Sequence, residues 1–242
     1  MMLEPTALPG DANLRLRIAS DDDAAAIVAL RRKAYRVANG HKIEDESFLD
    51  WNETDVASGI ILIEDAAGTL LSSIRTIPLF TQQEMEQMFD IRVKEEVPVP
   101  TIAVDRACTD PTYRRLGFTG VNRLIMISAC RSSGFASLTL TMNDSASRLG
   151  FLRKAGYIVQ EADLSHRGDD SMYTNSGGVM FCQLQASNFD FAINYSLSQL
   201  GESLSMFSAE QIEGGAVVDA LCAKWAMANT ASELAEAASL RR

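Results

Sequence analysis

Hydrophobic residues recur with period two in some segments of the chain and with a helical period in others. Leu14-Arg-Leu-Arg-Ile18 alternates as a half-buried strand does, whereas Ile27, Leu30 and Ala34 lie on one helical stripe. The predicted strands are 14–18, 59–64, 69–78, 101–109, 136–141, 157–159 and 176–185. The predicted helices are 20–39, 82–92, 119–132 and 145–155. Because strands and helices are interleaved, the sequence predicts an α/β (α+β) fold with a central mixed sheet flanked by helices.

The chain is expected to consist of three parts. Residues 1–13 contain prolines and glycine without periodicity, which predicts a flexible tail. Residues 14–185 hold the interleaved elements and form one domain. Residues 186–242 form a mainly helical C-terminal extension, in which residues 189–195 alternate as in a strand and residues 210–238 form an amphipathic helix. We expect this last helix to cover the sheet or to form a homodimer contact.

Composition excludes several classes of protein. The chain has 242 residues and a net charge of −10, which argues against nucleic-acid binding. No apolar run approaches the roughly 20 residues that cross a bilayer, so no transmembrane segment is predicted. The N-terminus lacks the basic region and apolar stretch of a signal peptide. A cytoplasmic location is therefore expected.

Cysteine and histidine are too few and too scattered to form a framework. The four cysteines are widely spaced, which makes a disulfide framework or a zinc site improbable. The two histidines, His41 and His166, are far apart and lack ligand spacing. We therefore expect no metal, and surface or capping roles for both histidines.

Positive charge is concentrated between Arg106 and Tyr157. This stretch holds eight basic residues and two acids, although the whole chain is acidic. A basic island in an acidic protein suggests an anionic ligand. The alternative is a solvated helix face.

The island contains a turn with the features of an anion-binding site. Arg114-Arg-Leu-Gly-Phe-Thr-Gly120 follows a predicted strand and opens a predicted helix. Unpaired N–H groups and the dipole at a helix N-terminus favour an anion, and glycines let the backbone approach a phosphate closely. Taken alone, the two glycines would indicate only a turn.

With its surroundings, this loop resembles the phosphate loop of the GNAT acyltransferase superfamily. Thr109-Asp-Pro-Thr-Tyr-Arg114 and Gly117 match one family element, and Asn143 with Phe151-Leu-Arg-Lys-Ala-Gly-Tyr157 matches a second. The resemblance covers roughly residues 14–185 and implies a GNAT-like fold that binds a thioester donor. The donor-binding residues that it implies are Cys108, Thr109, Arg114, Arg115, Leu116, Gly117, Phe118, Thr119, Gly120 and Asn143.

The chain departs from this family pattern at two positions. Thr119 adds a side chain where the superfamily has Gly or Ala, which would loosen pyrophosphate binding. Leu152 stands where many members carry the tyrosine thought to protonate the leaving thiolate. The second departure puts the ordinary acetyl-CoA mechanism in doubt or moves the acid elsewhere.

A narrower resemblance is to the long-chain N-acyl amino acid synthases and, more distantly, to the acyl-homoserine lactone synthases. It is carried by Leu30-Arg-Arg-Lys-Ala-Tyr35, the acidic stretch to Trp51, Ser72-Ser-Ile-Arg75 and Asp105-Arg106. It implies an acyl chain drawn from acyl carrier protein and an amino acid acceptor. Arg31, Tyr35, Arg75 and Arg106 fall on the recurrent Arg and aromatic positions of these families, and the resemblance implies that Arg31 and Tyr35 bind the substrate. Ala103 and Asp105 replace the acid and the Ser/Thr of the last motif.

Acyl transfer requires an amine that loses a proton and a thioester carbonyl that meets a hydrogen-bond donor. The GNAT resemblance implies that the backbone at Cys108–Thr109 lies nearest to the carbonyl. Asp105 is the candidate base or amine-binding anion, or else a surface aspartate paired with Arg106. Arg75 and Arg106, the other candidate catalytic residues, would hold a substrate carboxylate or form structural ion pairs. Cys108 is expected to pack in the core rather than to act as a nucleophile.

An apolar acyl pocket is the last expected feature. Met85, Met88, Phe89 and Phe118 would line it or simply pack in the core.

The sequence therefore predicts an N-acyltransferase with acyl carrier protein or CoA as acyl carrier and a small-molecule amine as acceptor, and with no tightly bound cofactor. An acetyl-CoA-dependent N-acetyltransferase and a catalytically degenerate binding module of the same fold are the alternatives.

Overall fold

The computed structural model describes residues 14–38, 46–143, 146–165, 178–213 and 215–239. The strands are β1 (Arg15–Ile18), β2 (Gly59–Glu64), β3 (Leu70–Leu79), β4 (Thr101–Thr109), β5 (Ser137–Asn143), β6 (Ile158–Glu161) and β7 (Val179–Gln185). The helices are α1 (Ala24–Ala38), α2 (Glu53–Ala57), α3 (Gln82–Phe89), α4 (Phe118–Ser132), α5 (Ala146–Lys154), α6 (Phe189–Gln199), α7 (Gly201–Leu204), α8 (Ala209–Glu213) and α9 (Ala216–Ser239). None of the described helices combines the length and the apolar character that a membrane span needs.

The seven strands form one mixed sheet in the order β1-β2-β3-β4-β5-β7-β6. β2 pairs antiparallel with β1 and β3, and β7 pairs antiparallel with β5 and β6. β4 and β5 pair parallel, as expected for strands that a helix connects, here α4. The predicted α/β fold with a central mixed sheet and flanking helices is confirmed.

The chain divides into two compact units. The first contains residues 1–76, 106–126 and 200–242, and the second contains residues 77–105 and 127–199. Strands β3 and β4 and helix α4 therefore each contribute residues to both units. Most of the residues expected to bind a donor or an acceptor lie in the first unit.

Each unit has its own apolar core. In the first unit, Ile27 of α1 packs with Ile60 and Leu62 of β2, and all three side chains are buried. In the second unit, the buried cluster comprises Leu79, Met85, Phe89, Ile91, Val97, Ala103, Ala162, Val179 and Phe181. Burial explains why apolar patterns predicted most of these elements. Helix α1 buries one side, which gives its helical stripe, and β2 buries every residue, which gives its continuous apolar run.

The predicted strand over residues 189–195 is wrong, because these residues begin helix α6. Phe189, Ala192, Ile193 and Ser196 are the buried residues of this helix, and their spacing is helical. Phe191, a member of the alternating pattern, is 56% exposed. The alternation of aromatic and polar residues was therefore coincidental, and contacts of the helical stripe decided the structure.

Helix α9 packs on the sheet of the first unit. Trp225 is buried, and its indole Nε1 donates a hydrogen bond to Thr76 Oγ1 at 3.1 Å. The Thr76 hydroxyl in turn donates to the Gly59 carbonyl at 2.6 Å. Leu221 lies directly over Gly59, so closely that a β-carbon there would overlap its side chain. Only glycine permits this approach of helix and strand.

Candidate functional site

The predicted phosphate loop connects β4 to α4, as expected. A 3-10 helix at Pro111–Tyr113 follows the strand, and Asp110 caps it by accepting a hydrogen bond from the Thr112 N–H at 3.0 Å. Asp110 also accepts from Lys33 Nζ at 2.7 Å, which ties the loop to α1. Burial by itself raises the pKa of the Asp110 carboxyl. The hydrogen bonds from Lys33 and from the Thr112 N–H outweigh this effect, so the pKa lies below its usual value.

The loop itself turns sharply. Arg115 and Gly117 both have positive φ angles, of 73° and 80°, and α4 begins at Phe118. A positive φ is easy for glycine but uncommon for arginine, so the backbone at Arg115 is held there by its surroundings. The Arg114 guanidinium donates to the Ala34 carbonyl at 3.3 Å, and the side chains of Arg114 and Arg115 are exposed. Leu116 is half-buried.

The two glycines of the loop face other residues of the chain. A β-carbon on Gly117 would overlap Ser203 Oγ and would lie 3.3 Å from Leu200 Cδ2. A β-carbon on Gly120 would lie 2.7 Å from the same Leu200 atom. The space that the missing side chains leave is thus occupied by residues of the C-terminal extension.

A network of hydroxyl and amide groups lies beneath the loop. The Ser72 hydroxyl of β3 donates to the Cys108 carbonyl of β4 at 2.9 Å and accepts from Asn122 Nδ2 of α4 at 3.2 Å. Thr109 Oγ1 lies 3.0 Å from Ser72 Oγ and 3.2 Å from Thr119 Oγ1. The Thr119 hydroxyl therefore connects the first turn of α4 to the end of β4.

Three arginines converge on one buried carboxylate. Arg31 of α1 donates to both oxygens of Asp55, at 2.6 and 3.2 Å. Arg75 of β3 donates to Asp55 Oδ1 at 3.1 Å, and Arg106 of β4 donates to Asp55 Oδ2 at 2.9 Å and to the Asp50 carbonyl at 3.1 Å. We call Arg31, Asp55, Arg75 and Arg106 the arginine cluster. The Asp55 side chain is completely buried.

The electrostatics of the arginine cluster favour an ionised carboxylate. Burial by itself raises the pKa of Asp55, but the hydrogen bond from Arg31 and the charges of Arg31, Arg75 and Arg106 outweigh it and lower the pKa. Arg106 has a φ of 47°, a conformation that costs a non-glycine residue about 1 kcal/mol or more. Its ion pair with Asp55 is one of the contacts that hold it in place.

Cys108 lies two residues after Arg106 on β4, the strand expected to bind the thioester. Cys108 packs with Leu30 and Ala34 of α1, and Tyr35 packs against this group with its ring 6.0 Å from that of Phe48. The Cys108 sulfur lies 3.2 Å from Ser73 Oγ. Burial raises the pKa of the Cys108 thiol, which favours a packing role over a nucleophilic one.

The remaining residues that the sequence singled out are distributed over both units. Asp105 is half-buried and Asn143 is exposed at the end of β5, and both belong to the second unit. Leu152 is completely buried, as a residue of the core would be. The basic island is shared between the units, with Arg131 paired to Asp190 at 2.7 Å. His41 and His166 lie outside the described residues.

The four residues expected to line an acyl pocket are divided between the two units. Met85 and Phe89 are buried in the core of the second unit, and Met88 packs against that core. Phe118 is buried in the first unit, where its ring centroid lies 6.5 Å from that of Phe207. These contacts are those of ordinary core residues.

Sequence reasoning missed Asp55. Its local pattern is that of a helix cap: the Asp55 N–H donates to the Asn52 side chain at 3.2 Å, and the Asp55 carboxylate accepts from the Asn52 N–H at 3.1 Å. This capping box is visible in the sequence Asn52-Glu-Thr-Asp55. The contacts with the three arginines are not, because they join residues that lie 20 to 51 positions away.

Comparisons with known proteins identify the fold. No protein-family model matches the chain, and no curated protein matches it. Among solved structures, the CoA-dependent acyl-homoserine lactone synthase MesI is 12% identical, with a TM-score of 0.54 over 80% of this chain and 99% of MesI. The CoA-dependent acyl-homoserine lactone synthase BjaI is 13% identical, with a TM-score of 0.55 over 78% of this chain and 90% of BjaI. The likeness shows that the chain has the GNAT-like fold that its sequence motifs predict.

Proposed function

We propose that the protein is an N-acyltransferase that moves an acyl group from a thioester to the amine of an amino acid or a similar small molecule. The observation that carries this proposal is the position of the arginine cluster beside β4. Arg106 of the cluster is itself a residue of β4, two positions before Cys108, and it pairs with Asp55 at 2.9 Å. Groups suited to an acceptor carboxylate thus adjoin the strand along which a GNAT fold binds its thioester.

The donor side consists of β4 and the loop that follows it. The first turn of α4 offers N–H groups and a positive dipole end to a phosphate, and Arg114 and Arg115 add exposed positive charge. Ser72 anchors the Cys108 carbonyl, which keeps the backbone of β4 in place for the pantetheine arm of CoA or of acyl carrier protein. CoA and acyl carrier protein share this arm, so either one fits the proposal.

The acceptor side is the arginine cluster. A guanidinium group presents up to five N–H donors in a planar fork that matches a carboxylate. Arg31 Nε is buried and, within the described residues, has no hydrogen-bond partner. Such an unsatisfied donor is costly in a protein interior. Arg106 is the most accessible of the three guanidinium groups, with a side chain 13% exposed, so an acceptor carboxylate would reach the cluster there. Asp55 orients the three guanidinium groups and is therefore a positioning residue.

The proposed reaction forms one amide bond and breaks one thioester bond. The amine nitrogen attacks the thioester carbonyl carbon, the nitrogen loses a proton, and the C–S bond breaks to release a thiolate that takes up a proton. Asp105, which precedes Arg106 on β4, is our candidate for the group that accepts the amine proton. Leu152 carries no acidic hydrogen, so the proton for the thiolate comes from another group or from water.

A direct assay of the purified protein tests this function. Acyl-CoA and acyl carrier protein loaded with C2 to C16 chains would be incubated with the twenty amino acids, and N-acyl products and free thiols would be quantified by mass spectrometry. We expect N-acyl amino acids and thiols in equal amounts. Asp105→Asn should lower the rate by about two orders of magnitude or more, whereas the exposed Asp22→Asn should not.

The outcomes separate the proposal from its alternatives. Transfer of acetyl groups alone, to amines other than amino acids, would indicate a conventional acetyltransferase. Binding of a thioester without any product, in the wild type and in both variants, would indicate a binding module. A Gly117→Asp variant is a poor control here, because any side chain at Gly117 would overlap Ser203 and disturb packing as well as phosphate binding.

A further inference from the structure

One leucine fills the space beside both glycines of the predicted phosphate loop. Leu200 Cδ2 lies 3.3 Å from a β-carbon built on Gly117 and 2.7 Å from one built on Gly120. Leu200 itself is only 7% exposed, so it is packed rather than merely adjacent. Ser203, one helical turn later, occupies the remaining space at Gly117, with its Cβ 2.8 Å from the built atom.

The contact continues along the chain. Phe207 is 7% exposed, and its ring meets the ring of Phe118, the first residue of α4, edge to face at 6.5 Å. Leu200, Ser203 and Phe207 thus cover the end of the loop and the first turn of α4. We call residues 200–207 the cover segment.

The cover segment is compact by itself. The Leu204 N–H donates to the Leu200 carbonyl at 2.8 Å, and the Phe207 N–H donates to the Leu204 carbonyl at 3.0 Å. The Ser205 hydroxyl donates to the Glu202 carbonyl at 2.7 Å. These hydrogen bonds lie within the segment, so the segment can separate from the loop without breaking them. Its side chains meet Gly117, Phe118 and Gly120 through van der Waals contacts.

We propose that the cover segment and the phosphate of the thioester donor compete for the same face of the loop. This inference rests on the proposed function, in which a phosphate of the donor lies at the first turn of α4, next to Gly117 and Gly120. Glycine at these positions permits close approach of whatever lies there, and two groups cannot occupy the space at once. The donor therefore binds to a form in which the cover segment has moved away, and the closed form described here is autoinhibited.

The protein therefore binds the thioester donor with an apparent affinity lower than the intrinsic affinity of the open form. When only a fraction of molecules is open, the apparent Kd equals the intrinsic Kd divided by that fraction. Weakening the closed form must then strengthen donor binding. Leu200→Ala removes the atoms that lie against both glycines and leaves the loop itself unchanged. Leu197→Ala is the matched control, since Leu197 is nearby in sequence and 41% exposed on α6.

The test measures binding of CoA, and of phosphopantetheinylated acyl carrier protein, by titration calorimetry. We expect Leu200→Ala to bind about tenfold more tightly than the wild type and Leu197→Ala to bind as the wild type does. Hydrogen exchange of the wild type supplies a readout that needs no variant. Addition of ligand should increase exchange of amides in residues 200–207 and decrease exchange in residues 117–121.

Two results would overturn the inference. If the wild type binds CoA or the carrier protein with unchanged or increased protection of residues 200–207, and Leu200→Ala gains no affinity, the segment is part of the bound state and the proposed function still stands. If neither the wild type nor Leu200→Ala binds either ligand, both the proposed competition and the proposed donor site are wrong.

Discussion

Arg31 and Asp55 form a two-pronged ion pair in which both side chains are excluded from solvent. The Arg31 Nη2 atom lies 2.6 Å from Asp55 Oδ1, and the exposed fractions of the two side chains are 1% and 0%. Burying charges is costly, so the pair persists only because geometry and hydrogen bonds compensate the lost hydration. Asp55 is also the partner of Arg75 and Arg106, which makes it the centre of the arginine cluster.

The first prediction concerns the stability of this cluster. Asp55→Asn keeps the shape of the side chain but leaves three guanidinium groups without the carboxylate that they share. We expect the free energy of unfolding to fall by about 3 kcal/mol or more, as for other buried ion pairs that lose one partner. Urea denaturation followed by circular dichroism measures this change.

The matched control for that experiment is Asp50→Asn. Asp50 lies on the surface, with a side chain 49% exposed, and pairs with Arg32. Its loss should change the free energy of unfolding by less than about 1 kcal/mol. Similar effects of the two substitutions would contradict a special role for Asp55.

The second prediction concerns binding of the acceptor. Arg75→Lys retains the positive charge but removes the planar fork, so two parallel hydrogen bonds to a carboxylate are no longer available. We expect the KM for the amino acid to rise about tenfold or more, while the KM for the thioester changes little. Arg15→Lys, at a side chain that is 65% exposed, should leave both KM values unchanged. An equal rise in both KM values would argue for a purely structural Arg75.

The third prediction is a loss of stability in acid. Arg17, 2.7 Å from both oxygens of Asp23, lowers the pKa of that carboxyl to about 2. The unfolded chain takes up this proton first, at about pH 4. The contribution to stability is therefore complete above about pH 4 and is lost as the pH falls towards 2.

Urea midpoints between pH 2 and pH 6 test this dependence. Asp23→Asn should flatten the decline, because a neutral amide has no proton to gain. Asp22→Asn should not flatten it, since Asp22 is exposed. Parallel curves for the wild type and Asp23→Asn would rule out the ion pair as a source of the pH dependence.

The fourth prediction contrasts two glycines. A β-carbon on Gly59 would overlap Leu221 and lie 2.9 Å from Thr76 Oγ1, and both neighbours are buried. Gly59→Ala should lower the free energy of unfolding by about 1–3 kcal/mol through overpacking. Gly150→Ala, in α5, meets no atom within 4 Å and should be neutral or stabilising by up to about 1 kcal/mol. Equal effects in thermal denaturation would contradict the close packing of α9 on β2.

Many of the element boundaries were predictable because the pattern of apolar residues reflects burial. The predicted strands 59–64 and 101–109 match β2 and β4 residue for residue. The loop before α4 was predictable too, because its arginines and glycines are adjacent in sequence. The error at residues 189–195 shows the limit of this approach, since a short alternation of aromatic residues also fits part of a helix with one exposed phenylalanine.

The sequence by itself thus determined the order of strands and helices, the mixed α/β fold and the position of the loop, because local patterns of polarity and glycine encode them. Only the tertiary structure decided that Arg31, Arg75 and Arg106 share Asp55, and that Leu200 lies against Gly117 and Gly120. Those contacts join residues that are distant in sequence. Periodicity specifies which side of an element is buried, but the packing of the whole chain specifies the residue that it meets.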